Sequence, residues 1–402
     1  MNLRRLATLV AAIVLAPAVF VAAVFVYAVT REVPVSFDPS LAGQVHLSAP
    51  TALAPGPGLP PDLKLGPSNN NLDVIRFAGR YFLAWRTARF HFASDDARMV
   101  IVSSTDRERW THEASFDLDR RDLREPRFLD LNGRLFFYFF EAEDNPRGFT
   151  PLSMRAAERR GDGTWTESRP IFEPGHVVWR AKVRNGRAYM CSYRGDRLYD
   201  DLGVAGKPRL LTSTDGYNWE SISGDTSPVP YPGASECDFE FDDQGNLVAL
   251  VRVEARGALV CTAPATRLQR WDCTPTPYRH DSPLLFRHGN TFYAIARRNL
   301  AGPLDTGQRW LPDTAELLWY QLRYWFSRKR TTLYRVIPEE QRTVPVLDFP
   351  SRGDTAFAAA APLDDGSYWV ANYSSDLDGP DYPWVLGQLT GSRIYGFELK
   401  LP

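Results

Sequence analysis

Arg76-Phe-Ala-Gly-Arg-Tyr-Phe-Leu83 is a glycine turn between two strand patterns, and variants of it return five more times. The copies read Asp130-Leu-Asn-Gly-Arg-Leu-Phe-Phe137, Arg184-Asn-Gly-Arg-Ala-Tyr189, Asp242-Asp-Gln-Gly-Asn-Leu-Val248, Arg287-His-Gly-Asn-Thr-Phe-Tyr293 and Asp364-Asp-Gly-Ser-Tyr-Trp369. Their glycines lie 44 to 77 residues apart. A strand-built repeat of this length points to a β-propeller, one blade per copy. Six copies give an all-β, six-bladed propeller, with any site at the centre where the inner strands meet. The strands are rich in aromatic and β-branched residues, as in Arg134-Leu-Phe-Phe-Tyr-Phe-Phe140. A single such run could equally be a buried helix segment; six behind glycine turns could not.

The repeat occupies residues 69–402, which are expected to form one domain. Of the 402 residues, 44% are hydrophobic, enough for a large core. With 47 basic and 48 acidic residues, the chain lacks the basic excess of a nucleic-acid binder, and no such partner is expected.

Ahead of the repeat, Arg4 and Arg5 precede an uncharged apolar run, Leu6 to Val29. About 20 such residues suffice to span a bilayer as a helix. Residues 1–30 are therefore expected as a transmembrane signal anchor, with the membrane as partner. The other reading is a signal peptide cleaved near Val26-Tyr27-Ala28, which would release a secreted protein. Either way the propeller is exported, to the periplasm or the cell surface. Residues 31–68 are proline-rich and are expected as a semi-extended spacer. Cys261 and Cys273 suit a disulfide within one blade, leaving Cys191 and Cys237 as a second pair; the alternative is four buried thiols. No metal-ligand spacing occurs among the six histidines, and no cofactor is expected.

The fifth interval is too long for a blade. Asp313 to Arg330 reads as a helical insertion opened by a capping box, Asp313-Thr-Ala-Glu316. It could pack on the propeller side, touch the membrane with its aromatics, or cover the channel.

Ser104-Thr-Asp-Arg-Glu-Arg-Trp110 and Ser213-Thr-Asp-Gly-Tyr-Asn-Trp219 close the first and third repeats in one register. Both resemble the Asp-box, or BNR repeat, of sialidase-family propellers; Thr262 to Trp271 is similar to a decayed copy. In such a turn the Asp caps backbone N–H groups and the Trp fills the space between strands. The resemblance spans residues 70–402 and implies a glycoside hydrolase acting on an extracytoplasmic glycan. It places Glu236 and Arg252 at the family's fourth-blade glutamate and arginine, and Arg297 or Arg298 at the fifth-blade arginine. It also looks for an acid at Asp95 or Asp96. The chain departs from the family in the first blade, with Asn71-Leu-Asp73 for an arginine motif. In the sixth, Asp354-Thr-Ala356 stands where a tyrosine nucleophile belongs.

Hairpin geometry gives an independent list. Residues well before each glycine and about seven after it meet at one face. Among them are the carboxyl groups Asp73, Glu125, Glu236, Asp281 and Asp354, and the arginines Arg86, Arg180, Arg252, Arg297 and Arg298. Glycoside hydrolysis needs two carboxyl groups, and Glu236, Asp354, Asp73 and Asp281 are the candidates. The arginines would bind an acidic sugar, and Trp179 and Tyr373 would stack on its ring. Two other readings stand beside this one: an ion-pair ring plugging the channel, and a non-catalytic propeller that binds glycan or protein.

Overall fold

The computed structural model describes residues 3–145, 150–195, 207–303 and 311–402, with side chains from Ala16 onward. Helix α1 (Leu3–Thr30) leads into the short strands β1 (His46–Leu47) and β2 (Thr51–Ala54). The repeat begins with β3 (Ser68–Phe77), β4 (Arg80–Ala88), β5 (Arg98–Ser104) and β6 (Thr111–Phe116). The second unit is β7 (Arg121–Leu131), β8 (Arg134–Glu143), β9 (Pro151–Glu158) and β10 (Arg169–Ile171). The third is β11 (His176–Arg184), β12 (Arg187–Arg194), β13 (Lys207–Ser213) and β14 (Glu220–Ser221). The fourth is β15 (Ala234–Phe241), β16 (Leu247–Val253), β17 (Leu259–Ala263) and β18 (Asp272–Pro275). The fifth holds β19 (Asp281–His288), β20 (Thr291–Asn299), helix α2 (Asp313–Phe326), β21 (Lys329–Ile337) and β22 (Arg342–Asp348). The last holds β23 (Thr355–Pro362), β24 (Tyr368–Ser375), helix α3 (Trp384–Gly387) and β25 (Ser392–Lys400).

The second to fifth units are separate four-stranded antiparallel sheets. The first and last join through one parallel bridge, Ser392 to Ser68. The first strand of each unit packs on that of the next: β3 on β7, then β11, β15, β19 and β23, which returns to β3. A mostly β protein of four-stranded sheets closed into a ring of inner strands is laid out as an all-β propeller. The six repeat glycines all have positive φ, from 57° at Gly289 to 86° at Gly245, which explains the residue type at these turns.

The core lies between neighbouring sheets, so strands are buried on both faces. In β8, Phe136 and Tyr138 face the third unit and meet Trp219 through Tyr138, while Phe137 and Phe139 face the first. The Asp turns behave as their chemistry requires. Asp106 accepts from the N–H of Glu108 (2.9 Å) and Arg109 (2.8 Å), and Asp215 from Tyr217 (2.9 Å) and Asn218 (2.7 Å). Trp110, Trp219 and Trp271 are buried behind them. Both disulfides form: Cys261–Cys273 between directly opposed residues of β17 and β18, and Cys191–Cys237 across two sheets.

Two expectations need correction. Residues 31–68 are not merely a spacer: β1 and β2 pair with β25 and supply the outer edge of the last unit. Upstream of these strands, the Val33 N–H bonds Leu300 O (2.9 Å) and Asp38 pairs with Arg335 (2.8 Å). Strand β2 buries the consecutive residues Leu53 and Ala54 at a register shift, and four residues show no strand period through the surrounding prolines. The insertion helix ends at Phe326 rather than Arg330, because Lys329 onward is needed in β21. Asp313 is its first residue and makes no capping box; Pro312 stands at the cap. Among the described residues, no helix is long and apolar enough to cross a membrane.

Candidate functional site

Every inner strand breaks register once, near its start. The breaks fall between Asn70 and Leu72, Arg124 and Arg127, Val178 and Arg180, Ala234 and Cys237, Asp281 and Leu284, and Ala356 and Ala359. A bulge bends its strand and re-aims a side chain. Here Asn71, Glu125, Ser282 and Phe357 take φ of 44°, 56°, 54° and 56°. Such backbone costs a non-glycine residue about 1–3 kcal/mol. Those four, with Glu236 from the fourth bulge, line one cavity of about 290 Å³. Arg252 and Arg297 reach it from second strands, and Arg124 from β7. His91, Phe92 and Ala93 come from the loop after β4, Trp325 from α2, and Trp384, Val385 and Gln388 from around α3.

Glu236 is held by Arg252 and by the Ser282 N–H (2.7 Å). Burial pushes its carboxyl upward against the pull of Arg252. Arg252 also meets Glu254 (2.5 Å) and Asp281 (2.8 Å). Asp281 is shared with Arg279 (2.9 Å); despite its burial, Arg279, Arg252 and Arg297 hold it below the carboxylate range. Arg297 binds mostly neutral oxygens: Thr355 O (2.7 Å), Tyr324 Oη (2.9 Å) and Tyr373 Oη (3.1 Å). Asp281 and Asp354 both stand 3.8 Å from it.

Glu125 differs from the other acids. Its Oε1 accepts from Asn71 (3.0 Å), its Oε2 has no hydrogen bond, and Arg127 stays 3.6 Å away. Burial, with the nearby charge of Glu236 adding to it, pushes Glu125 up to about 8. At neutral pH it carries a proton.

Below the bulges the centre is filled. Arg180 donates to Ala358 O (2.8 Å) and Asp73 (3.3 Å), and Arg127 to Leu72 O (3.1 Å) and Trp179 O. Asp73 also accepts the Phe128 N–H (2.7 Å). Cavity and ion-pair ring thus coexist at two depths.

The expected residues divide accordingly. Glu236, Arg252 and Arg297 line the cavity, and Asp281 and Asp354 stand directly behind them. Asp73 and Arg180 belong to the plug. Arg298 points the other way, to Asp348, because successive strand residues alternate faces. Arg86 is fully buried on Asp122 (2.7 Å) and binds the carbonyls of Phe90 and Phe92 (3.0 Å each), so it positions a loop rather than a ligand. Trp179 and Tyr373 are wholly buried, which removes them as stacking platforms; Trp325 and Trp384 are the tryptophans on the lining. Asp95 and Asp96 sit at the surface on Arg89, outside the cavity. Glu125 met the hairpin criterion but matched no family position, and His91 met neither test. The bulge residues do share a signal: each stands seven to nine positions before its repeat glycine.

No family model matches the sequence, and no curated protein does. Solved structures match in fold. A protein of unknown function from Dyadobacter fermentans aligns with a TM-score of 0.60 at 14% identity, over 90% of this chain and 100% of that one. Trypanosoma rangeli sialidase in complex with the inhibitor DANA aligns at 0.57 and 12%, over 82% of this chain and 55% of that one. The phage phi92 endosialidase aligns at 0.57 and 11%, over 89% and 69%. The chain therefore spans about half the length of the trypanosome sialidase, and it has a sialidase-like fold.

Proposed function

We propose that this is a six-bladed, sialidase-like glycoside hydrolase taking an acidic sugar unit of an extracytoplasmic glycan. The observation that carries the reading is the cavity wall. It sets Glu125, pushed up to about 8, near Glu236, which is held by Arg252, with Arg124 and Arg297 beside them. Three guanidinium groups reach the lining, and although Asp122, Glu254, Asp281 and Asp354 stand behind them, they offer donors to an anionic guest. Glycoside hydrolysis needs a proton donor for the leaving oxygen, and Glu125 holds one at neutral pH. Glu236 steadies Arg252 and lends negative charge to a cationic transition state.

The two disulfides support an extracytoplasmic setting. Retention of α1 in the mature chain, rather than cleavage, is supported by its contacts: Phe25 packs on Trp319 and Phe326 of α2, and Glu32, just after α1, pairs with Arg328 (2.6 Å). A second reading, glycan binding without hydrolysis, is favoured by Arg252, whose three carboxylate partners leave it little reach for a ligand. Screening the whole chain on aryl glycosides and acidic polysaccharides separates the two. Hydrolysis lost in Glu236→Gln at an unchanged melting temperature supports the first reading, and binding without turnover supports the second.

A further inference from the structure

One ionisable group on the cavity wall remains unexplained. His91 lies in the loop after β4, far from any repeat position, yet it is anchored from three sides. Its N–H donates to Gln388 O (3.1 Å), and its carbonyl accepts from Arg124 (2.6 Å). Arg86 holds the carbonyls on either side of it. Its ring meets the edge of Tyr373 at 5.6 Å between centroids. Its Nδ1 bonds Asp354 Oδ2. Asp354 is itself fixed, with Oδ1 accepting from Tyr373 Oη (3.0 Å) and Trp384 Nε1 (2.9 Å). A carboxylate on Nδ1 sets the tautomer and leaves the lone pair on Nε2. That nitrogen makes no hydrogen bond to the described residues, and His91 lines the cavity.

We propose that His91, oriented by Asp354, is the proton acceptor of this cavity. The proposal rests on the glycan reading above. Nε2 takes a proton from a water molecule as its oxygen bonds the anomeric carbon. The glycosidic C–O bond breaks, and the leaving oxygen receives the proton of Glu125. One water is consumed, and the two protein protons return through solvent. Water attacking opposite the leaving group inverts the anomeric centre. Burial lowers the affinity of His91 for a proton, and Arg124 and Arg86 add to this against the opposing pull of Asp354. Asp354 is held below its ordinary value despite its burial, with Arg297 and the Tyr373 hydroxyl among the groups that favour its charged form. Burial thus favours the free-base form of the imidazole.

The test is modification of the whole chain by diethyl pyrocarbonate, which acylates an unprotonated, reachable imidazole nitrogen, followed by peptide mapping. The exposed His46 and His112 serve as internal standards. His91 is expected to react at pH 6 at close to its pH 7 rate, while the standards slow severalfold. Glucuronate or N-acetylneuraminate, with binding followed by tryptophan fluorescence, is expected to slow His91 at least fivefold and spare the standards. A His91 that stays unmodified while His46 and His112 react overturns the proposal. So does a sugar that binds without protecting it, and the sugar site then stands without the dyad. A reactive His91 with no acidic sugar bound overturns the glycan reading and the role together. His91→Gln guards against a fold effect: it should leave the melting temperature and sugar binding unchanged while abolishing turnover.

Discussion

At the scale of single residues, the account turns on how burial divides two similar carboxyl groups. Glu125 and Glu236 both sit at bulges of inner strands, yet only Glu236 receives hydrogen bonds from an arginine and a backbone N–H, while Arg127 stops 3.6 Å from Glu125. Glu125 has one amide donor and an Oε2 with no hydrogen bond, so its charged form is costly and its proton is favoured. The sign of the pH effect follows. As the proposed acid, Glu125 would act below its raised pKa of about 8, so the rate of any hydrolysis should fall as pH rises through that value. Glu125→Gln should remove this basic limb together with at least about a hundredfold of rate, the lower range of general acid catalysis. A pH–rate profile of the two proteins checks it; a variant with the wild-type limb assigns the proton to another group. Glu236 was legible from the sequence because it matches a family position. Glu125 was not singled out, because its role comes from what fails to reach it.

At the scale of elements, two segments outside the repeat decide the shape of the site. Helix α2 places Trp325 on the lining and brings Tyr324 onto Arg297. Beyond the placements open from sequence, α2 borders the cavity through Trp325 and packs against α1. Trp325→Ala should raise KM for a glycan several-fold and leave kcat nearly unchanged, since the ring touches bound substrate rather than the proton donors. Steady-state kinetics check it; an equal fall in kcat would move Trp325 into the chemistry. The second segment is β2. Removing residues 1–54 strips Leu53 and Ala54 from the face of β25 and exposes the edge of the last sheet. Burying one leucine is worth about 1.5–3 kcal/mol, so the shortened chain should melt about 5 °C lower or more. Calorimetry on both chains decides it, and equal melting temperatures would make β2 dispensable. Glycine turns and aromatic strands announced the repeat, whereas a four-residue strand among prolines carries no period long enough to read.

At the scale of the whole molecule, the ring of sheets separates stability from chemistry by depth. Arg127, Arg180 and Asp73 tie the inner strands together, and the bulges above them hold the cavity. Other buried groups link the fold to pH. His280 is lowered to about 3 and His176 to about 4, both chiefly by burial, from an ordinary 6.5. The unfolded chain takes up those protons first. Stability from the two histidines is complete above pH 6.5 and is lost as pH falls toward 4. Urea midpoints should therefore drop between pH 7 and 4.5, less so in His280→Gln if that variant folds; a flat profile would show both imidazoles charging freely in the native state. The fold class and the cavity's place could be read from the repeat. The contents of the cavity could not, because inter-blade bulges and one loop outside the repeat choose its side chains.

The central claim is that the cavity cleaves an acidic glycan with Glu125 as its proton donor. The most direct measurement is release of reducing ends from uronic- and sialic-acid polysaccharides by the whole chain and by Glu125→Gln. The account predicts that the unaltered protein cuts at least one of these polymers. The variant should bind that polymer with similar affinity, melt at the same temperature and release almost nothing. A variant that keeps full release would contradict the account, as would an unaltered protein that neither binds nor cuts any acidic polymer.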